Sequence, residues 1–202
     1  MSRTIDVRLT LAGRELAFRV ETEPELFSPR YPDPGSLAML GQLDLAHLDG
    51  PVLDLGCGYG LVGLAVAQLI DPALVTLTDV DPLALATARR NAAALGLEGL
   101  RVLESDAFQG LEGAEGFACI LSNPPYHADF AVPKRFIAGA WRHLRPGGHL
   151  YMVTKRRTWY ARRLEAVFGG FSLRLVDDYT VFVTEKRVRD PARRRPAAGR
   201  RG

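Results

Sequence analysis

"PVLDLGCGYGLVGLA" (51–65) sets a short apolar run against a cluster of glycines and then an apolar stretch with helical spacing. A strand that leaves through Gly56, Gly58 and Gly60 and re-enters as a helix is a βα turn. It brings ligand and backbone together at a helix N-terminus. Outward from this turn the alternation continues. Strands are predicted at 51–56, 74–80, 100–106, 117–123 and 147–155, with helices from about Gly60 to Ile70, from Pro82 to about Leu95, and roughly over 131–144 and 157–168. Short apolar runs that alternate with amphipathic segments describe βαβ units and a mostly parallel sheet covered on both faces.

The fold class expected is therefore α/β, a doubly wound, mostly parallel, seven-stranded Rossmann-like sheet. Its last two strands, "FSLRLVDD" and "TVFVTEKRV", meet near Asp178 and should form an antiparallel hairpin at the sheet edge. An N-terminal β-hairpin precedes the sheet: "TIDVRLTLAGRELAFRVE" (4–21) alternates apolar and polar residues on either side of Ala12-Gly13. A connector over 22–35 carries Pro24, Pro29, Pro32 and Pro34, and a helix should run from near Ser36 to about Leu48.

The 202 residues, 47% hydrophobic and 24% charged, suit one domain with a sizeable core, placed at 1–188. Cys57 and Cys119 have no Cys or His partners nearby in sequence, so reduced thiols are expected, with neither a disulfide framework nor a metal site. No apolar run reaches the roughly 18 residues a membrane span needs, and "MSRTIDVRLT" lacks a signal-peptide core. A cytoplasmic protein without membrane contact is expected. Of the 26 Lys and Arg and 23 Asp and Glu, six Arg and one Asp lie in 189–202, leaving a body with 20 basic and 22 acidic residues. That Arg-rich tail should be disordered, either as a solubilising segment or as a non-specific phosphate-binding arm.

"GYGLVG" (58–63) satisfies the dinucleotide pattern GxGxxG, but Asp54 stands just ahead of it, where a diphosphate would lie. An unpaired carboxylate there repels that ligand and suits one carrying an ammonium group. S-adenosylmethionine has an ammonium and a sulfonium and no phosphate. Asp79, ending the next strand, is placed to accept from both ribose hydroxyls. Asp81, ahead of Pro82, reads as a helix cap. Asp106 should approach the adenine amino group, with Ala107 as a backbone contact. The cofactor-binding set expected is Asp54, Gly56, Cys57, Gly58, Asp79, Val80, Asp106, Ala107 and Asn123.

"ILSNPPYH" (120–127) ends the fourth strand on a rigid polar corner in the same crevice. An exocyclic amine on a base is a poor nucleophile because its lone pair is delocalised into the ring. The Asn123 side-chain oxygen and the Pro124 carbonyl can accept its two hydrogens and turn the lone pair toward a sulfonium methyl, while Tyr126 stacks on the ring. Asn123, Pro124 and Tyr126 form the catalytic set. Pro125, His127, Arg156 and Arg157 are candidate substrate contacts, the arginines from "KRRTWYARR" (155–163), and a paired base would have to be flipped out to reach the clamp. In that segment Tyr160, Leu164, Val167 and Phe168 share a helical face and read as core.

These stretches resemble the class I S-adenosylmethionine-dependent methyltransferases, in particular the small domain of the ribosomal small-subunit RNA guanine-N2 methyltransferases. The resemblance covers most of residues 4–187: the N-terminal hairpin, "LFS" (26–28), "DPGS" (33–36), "VLDLGCGYGLVGLA", "LTDVDPLALATARRNAAALGL", "SNPPYH" and "HLRPGGHLYMV". It implies S-adenosylmethionine as cofactor, ribosomal RNA as partner and transfer to guanine N2, with the oligomeric state open and a monomer favoured. Tyr126 stands where that family usually has Phe, and Asp129 where it has Gly. The duplicated N-terminal domain of larger members has no counterpart in these residues. The amine clamp equally fits adenine N6 or a protein glutamine amide. A nicotinamide-dependent oxidoreductase and an inactive RNA-binding module are the alternatives of other classes.

Overall fold

The computed structural model describes residues 2–111, 113, 115–125 and 130–187. Tyr126, His127 and the Arg-rich tail at 189–202 lie outside the described residues. The chain runs β1 (Arg3–Leu11), β2 (Arg14–Thr22), α1 (Pro34–Leu40), β3 (Val52–Leu55), α2 (Leu61–Ala67), β4 (Val75–Asp79), α3 (Pro82–Ala94) and β5 (Arg101–Glu104). It continues with β6 (Phe117–Ser122), α4 (Ala131–His143), β7 (Leu144–Thr154), α5 (Arg157–Phe168), β8 (Ser172–Val176) and β9 (Tyr179–Glu185).

β1 and β2 form a two-stranded antiparallel sheet, and the other seven strands form one sheet in the order β5-β4-β3-β6-β7-β9-β8. Strands β3 to β7 pair in parallel, while β9 runs antiparallel to both β7 and β8. The expected edge hairpin is present, and its outer member is β8. The central strands β3 and β6 are buried at every residue, which is why they read as apolar runs broken only by Asp54 and by the terminal Ser122. Their side chains alternate between two cores. Val52, Cys119 and Leu121 face the layer that holds α2 and the N-terminal hairpin, and Leu53, Leu55 and Ile120 face α4 and α5. Among the described residues no helix is long and apolar enough to cross a membrane.

The helix expected from Ser36 to Leu48 is two pieces. α1 starts earlier, at Pro34, because the Asp33 carboxylate accepts from the Ser36 N–H at 2.7 Å and caps it. It stops at Leu40, and after Gly41 a separate 3-10 turn at Leu45–His47 is capped by Asp44. That turn is held by the sheet: the Tyr151 hydroxyl accepts from the Asp44 N–H at 3.3 Å and meets His47 Nδ1 at 2.6 Å. β7 begins at Leu144, ahead of the expected 147, since Leu144 pairs with Phe117 and a register shift absorbs the Pro-Gly-Gly segment. Cys119 is buried, Cys57 half-buried, and both are free thiols.

The N-terminal hairpin packs Ile5, Val7, Leu11, Phe18 and Val20 into the main core, and an exposed Arg90–Glu21 ion pair and one buried side chain tie it to α3. Asn91 on α3 accepts from the Glu21 N–H at 2.7 Å and donates to the carbonyls of Glu21 and Tyr59, each at 2.9 Å. It is 1% exposed, and it couples β2 to the glycine loop. Replacing Asn91 by Ala strands one donor and two acceptors away from water, so a loss of about 2–4 kcal/mol in unfolding free energy is expected. Urea denaturation checks it, with hydrogen exchange in the hairpin rising first.

Candidate active site

The carboxyl ends of β3, β4, β5 and β6 open into a cavity of about 330 Å³, closed on its other side by the connector around Leu26 and Asp33. The glycine turn forms its floor. Gly56, Gly58 and Gly60 take φ of 74°, 55° and 96°, a left-handed run that a side chain would strain. Gly63 is required for a different reason: a Cβ there would lie 2.4 Å from Leu77 Cδ1 and 3.2 Å from Asp54 Cβ. α2 therefore sits directly against β4 and Asp54.

The N–H groups of this turn are directed inward. Gly56 and Cys57 both donate to the Thr78 carbonyl at 2.9 Å, and Gly60 donates to the Cys57 carbonyl at 2.9 Å. Gly58 donates to Asp79 Oδ2 at 2.9 Å, and Gly63 to Asp54 Oδ2 at 2.8 Å. A phosphate-binding loop aims such groups at its anion. Here they close the loop on itself and on two carboxylates.

The acids line the cavity. Glu25, Asp33, Asp54, Asp79, Asp81 and Asp106 all contribute to its wall, and no Lys, Arg or His does so among the described residues. Asp54 corrects the expectation of an unpaired anion projecting from the strand end. It is 2% exposed and folded back onto Gly63. Burial pushes its carboxyl up to about 7 against the opposing pull of the Gly63 bond, and Asp79 nearby adds to the rise. Asp79 binds backbone through both oxygens, Oδ1 accepting from Val80 at 2.8 Å and Asp81 at 3.1 Å. Asp81 caps α3 through the Leu83 N–H at 2.8 Å. Asp106 reaches the wall, but its carboxylate is held at 2.8 Å by Arg135 of α4. Ala107 is buried with φ of 57°, its carbonyl accepting from the Ser105 hydroxyl at 2.9 Å. Val80 is 56% exposed at the rim.

Asn123 lies in the wall at the end of β6, with Pro124 buried and Pro125 exposed beside it. Its Nδ2 donates to Asp33 Oδ2 at 2.7 Å and to the Ser36 hydroxyl at 3.0 Å. Both amide hydrogens are engaged by the segment that starts α1. Sequence reasoning assigned no role to Asp33 and Ser36, although the Asp-Pro-Gly-Ser run already marked a helix cap. Arg156 and Arg157 are exposed at the start of α5 and stand outside the cavity wall. Beside them Trp159 stacks on Phe130 with ring centroids 4.3 Å apart, while Tyr160, Leu164 and Phe168 are buried, as the core reading expects.

The family model described as the methyltransferase small domain matches residues 17–182. The chain belongs to that family. A ribosomal RNA small subunit methyltransferase C of Pseudomonas aeruginosa (strain LESB58) is 38% identical over 166 residues, 80% of this chain and 48% of that one. The uncharacterized protein YbxB of Bacillus subtilis (strain 168) is 29% identical over 144 residues, 71% of this chain and 72% of its own. Among solved structures, the Thermus thermophilus 16S rRNA N2 G1207 methyltransferase (RsmC), in complex with AdoMet and guanosine, superposes with a TM-score of 0.76. It is 28% identical and covers 92% of this chain and 51% of that one. The chain thus spans about half the length of the methyltransferase C relatives it matches. The α/β fold, a seven-stranded sheet with an N-terminal hairpin, is like that of the RsmC methyltransferase neighbour.

Proposed function

We propose that this chain binds S-adenosylmethionine in the acidic cavity and transfers its methyl group to the exocyclic N2 of a guanine in ribosomal RNA. The observation that carries the reading is the cavity wall: six carboxylates, with the turn's N–H groups at Gly56, Cys57, Gly58, Gly60 and Gly63 bonded internally. That chemistry suits a ligand with positive charge and no phosphate, and it disfavours the diphosphate of a nicotinamide dinucleotide. Guanine is favoured among planar amines by the relatives, since the RsmC neighbour is named for N2 methylation of 16S rRNA and was solved with AdoMet and guanosine.

When bound, S-adenosylmethionine supplies a methyl group made electrophilic by its sulfonium. Asp54 would hold the cationic methionine end, and Asp79 and Ser105 would offer acceptors to the ribose. Asp106, Ala107 and Val80 border the adenine region. Asn123 Oδ1 and the Pro124 carbonyl accept the two amine hydrogens and turn the nitrogen lone pair out of conjugation. Transfer would form the N–C bond as the donor's S–C bond breaks, with the surplus amine proton released to water. Tyr126 would stack on the base ring and His127 contact the substrate, with Arg156 and Arg157 binding phosphates outside the cavity.

The test is incubation of the protein with methyl-labelled S-adenosylmethionine and either naked ribosomal RNA or small subunits lacking the modification, followed by mass spectrometry of the nucleosides. Labelled N2-methylguanosine is expected. Label in N6-methyladenosine, or in protein glutamine only, would reassign the acceptor. Calorimetric binding of NAD(H) in preference to S-adenosylmethionine would remove the reading altogether.

A further inference from the structure

We infer that Asp33 is a positioning residue for methyl transfer: it fixes which end of the Asn123 amide faces the substrate. The inference rests on the proposed amine methylation and adds to it the group that makes the clamp one-sided.

An asparagine amide can present either its oxygen or its NH2 along nearly the same direction, and only the oxygen can accept a hydrogen from an amine. An Asn turned the wrong way would offer N–H to N–H and hold nothing. Asp33 and Ser36, both bonded to Asn123 Nδ2, differ in what they tolerate. The Ser36 hydroxyl, 3.0 Å away, can donate or accept and would satisfy either orientation. The Asp33 carboxylate can only accept, and at 2.7 Å a turned amide would set oxygen against oxygen. Asp33 therefore decides the orientation, and Ser36 supports it. The bond is also charge-assisted, and drawing on the amide N–H places more electron density on the amide oxygen, the atom that must accept.

Asp33 is itself pinned. The same Oδ2 accepts from the Ser36 N–H at 2.7 Å, Asp33 is 6% exposed, and Pro34 follows it in the first turn of α1. At Gly35 a Cβ would stand 2.8 Å from Tyr179 Cε1 and 3.1 Å from Asp33 Oδ2. Only a residue without a side chain lets this turn lie against β9 with the carboxylate aimed at β6. The connector thus reaches across 90 positions of sequence to hold the catalytic amide.

Asp33→Asn keeps a good helix cap and nearly the same volume, so the fold should survive, while the acceptor-only character is lost. The expected result is a fall in single-turnover methyl transfer at saturating S-adenosylmethionine of about tenfold or more, with the unfolding midpoint close to wild type. Ser36→Ala should cost about threefold or less, because the hydroxyl only supports the orientation. The side-chain amide protons of Asn123, followed by 15N NMR in the free protein, should move on Asp33→Asn, a signature that a purely structural cap would not give. In an Asn123→Ala background the Asp33→Asn change should have no further effect on rate. An Asp33→Asn rate within twofold of wild type, unmoved Asn123 amide protons, or an undiminished effect in the Asn123→Ala background each overturns the inference. These outcomes are distinct from failure of the underlying reading, in which wild-type protein transfers no methyl to any planar amine and the role of Asp33 falls with it.

Discussion

Asn123→Ala is expected to lower methyl transfer by about 10²–10³-fold, the range found when one preorganised hydrogen-bonding group is removed from a developing charge. The attacking amine begins nearly planar and becomes cationic as the N–C bond forms, so its hydrogens become better donors on the way to the transition state. An acceptor aimed at them is worth more there than in the ground state, and the loss should appear in turnover rather than in KM. S-adenosylmethionine affinity should change by less than about threefold, because the proposed binding mode assigns the cationic end to Asp54 and the ribose to Asp79 rather than to Asn123. The variant also leaves the Asp33 carboxylate and the Ser36 hydroxyl without Nδ2, so a modest drop in unfolding midpoint accompanies the catalytic loss. Single-turnover kinetics with calorimetry of cofactor binding separates the two effects. Equal methylation by wild type and variant would remove the clamp from the mechanism.

The sheet was legible because its signals are local. β3 and β6 are buried on both faces and so are apolar apart from Asp54 and Ser122, and Asp81-Pro82 marks the start of α3 by cap chemistry that needs no tertiary partner. The break after α1 was not legible. Leu43, Leu45 and Leu48 continue an apolar spacing that a helix would also show, and the choice is made by Tyr151, more than 100 residues away, which binds Asp44 and His47. The strand-end acids and the proline corner could be placed in one crevice from strand order alone. What each carboxylate does there could not be, because Asp33, Asp54 and Asp106 are distinguished by long-range partners: Asn123, the Gly63 N–H and Arg135. Asn91 left a signal that went unused. It is polar on the helix face that carries Ala84, Ala88 and Ala92, and a polar side chain in such a row marks a tether.

Asp54→Asn should make the free protein more stable and the cofactor complex weaker. The folded protein holds the Asp54 proton to about 7, whereas the unfolded carboxyl releases it near 3.8. Between those values the folded state binds more protons, so this group's contribution to stability falls as pH rises from about 4 to about 7 and is constant above that. At pH 8 the wild type carries a burial cost on the order of 4 kcal/mol that a neutral amide, still able to accept from Gly63, avoids. Urea denaturation should show the variant gaining on wild type between pH 5 and 8, with no gain near pH 4. Cofactor binding runs the other way. A cation beside Asp54 favours the ionised form and lowers its pKa, so between pH 5.5 and 7.5 wild-type affinity for S-adenosylmethionine should rise with pH and binding should release protons. Calorimetry in two buffers of different ionisation enthalpy measures that release. The variant should bind about 10–100-fold more weakly, the value of a hydrogen bond to a charged group, and without the pH slope or the proton release. A variant that bound S-adenosylmethionine with wild-type affinity and slope would show that the cationic end of the ligand is recognised elsewhere. The carboxylate would then be a structural acceptor for Gly63 alone. If the prediction holds, the buried acid disfavours the empty fold because its stabilising partner is the ligand's positive charge, and the same charge requirement keeps a diphosphate out of the turn.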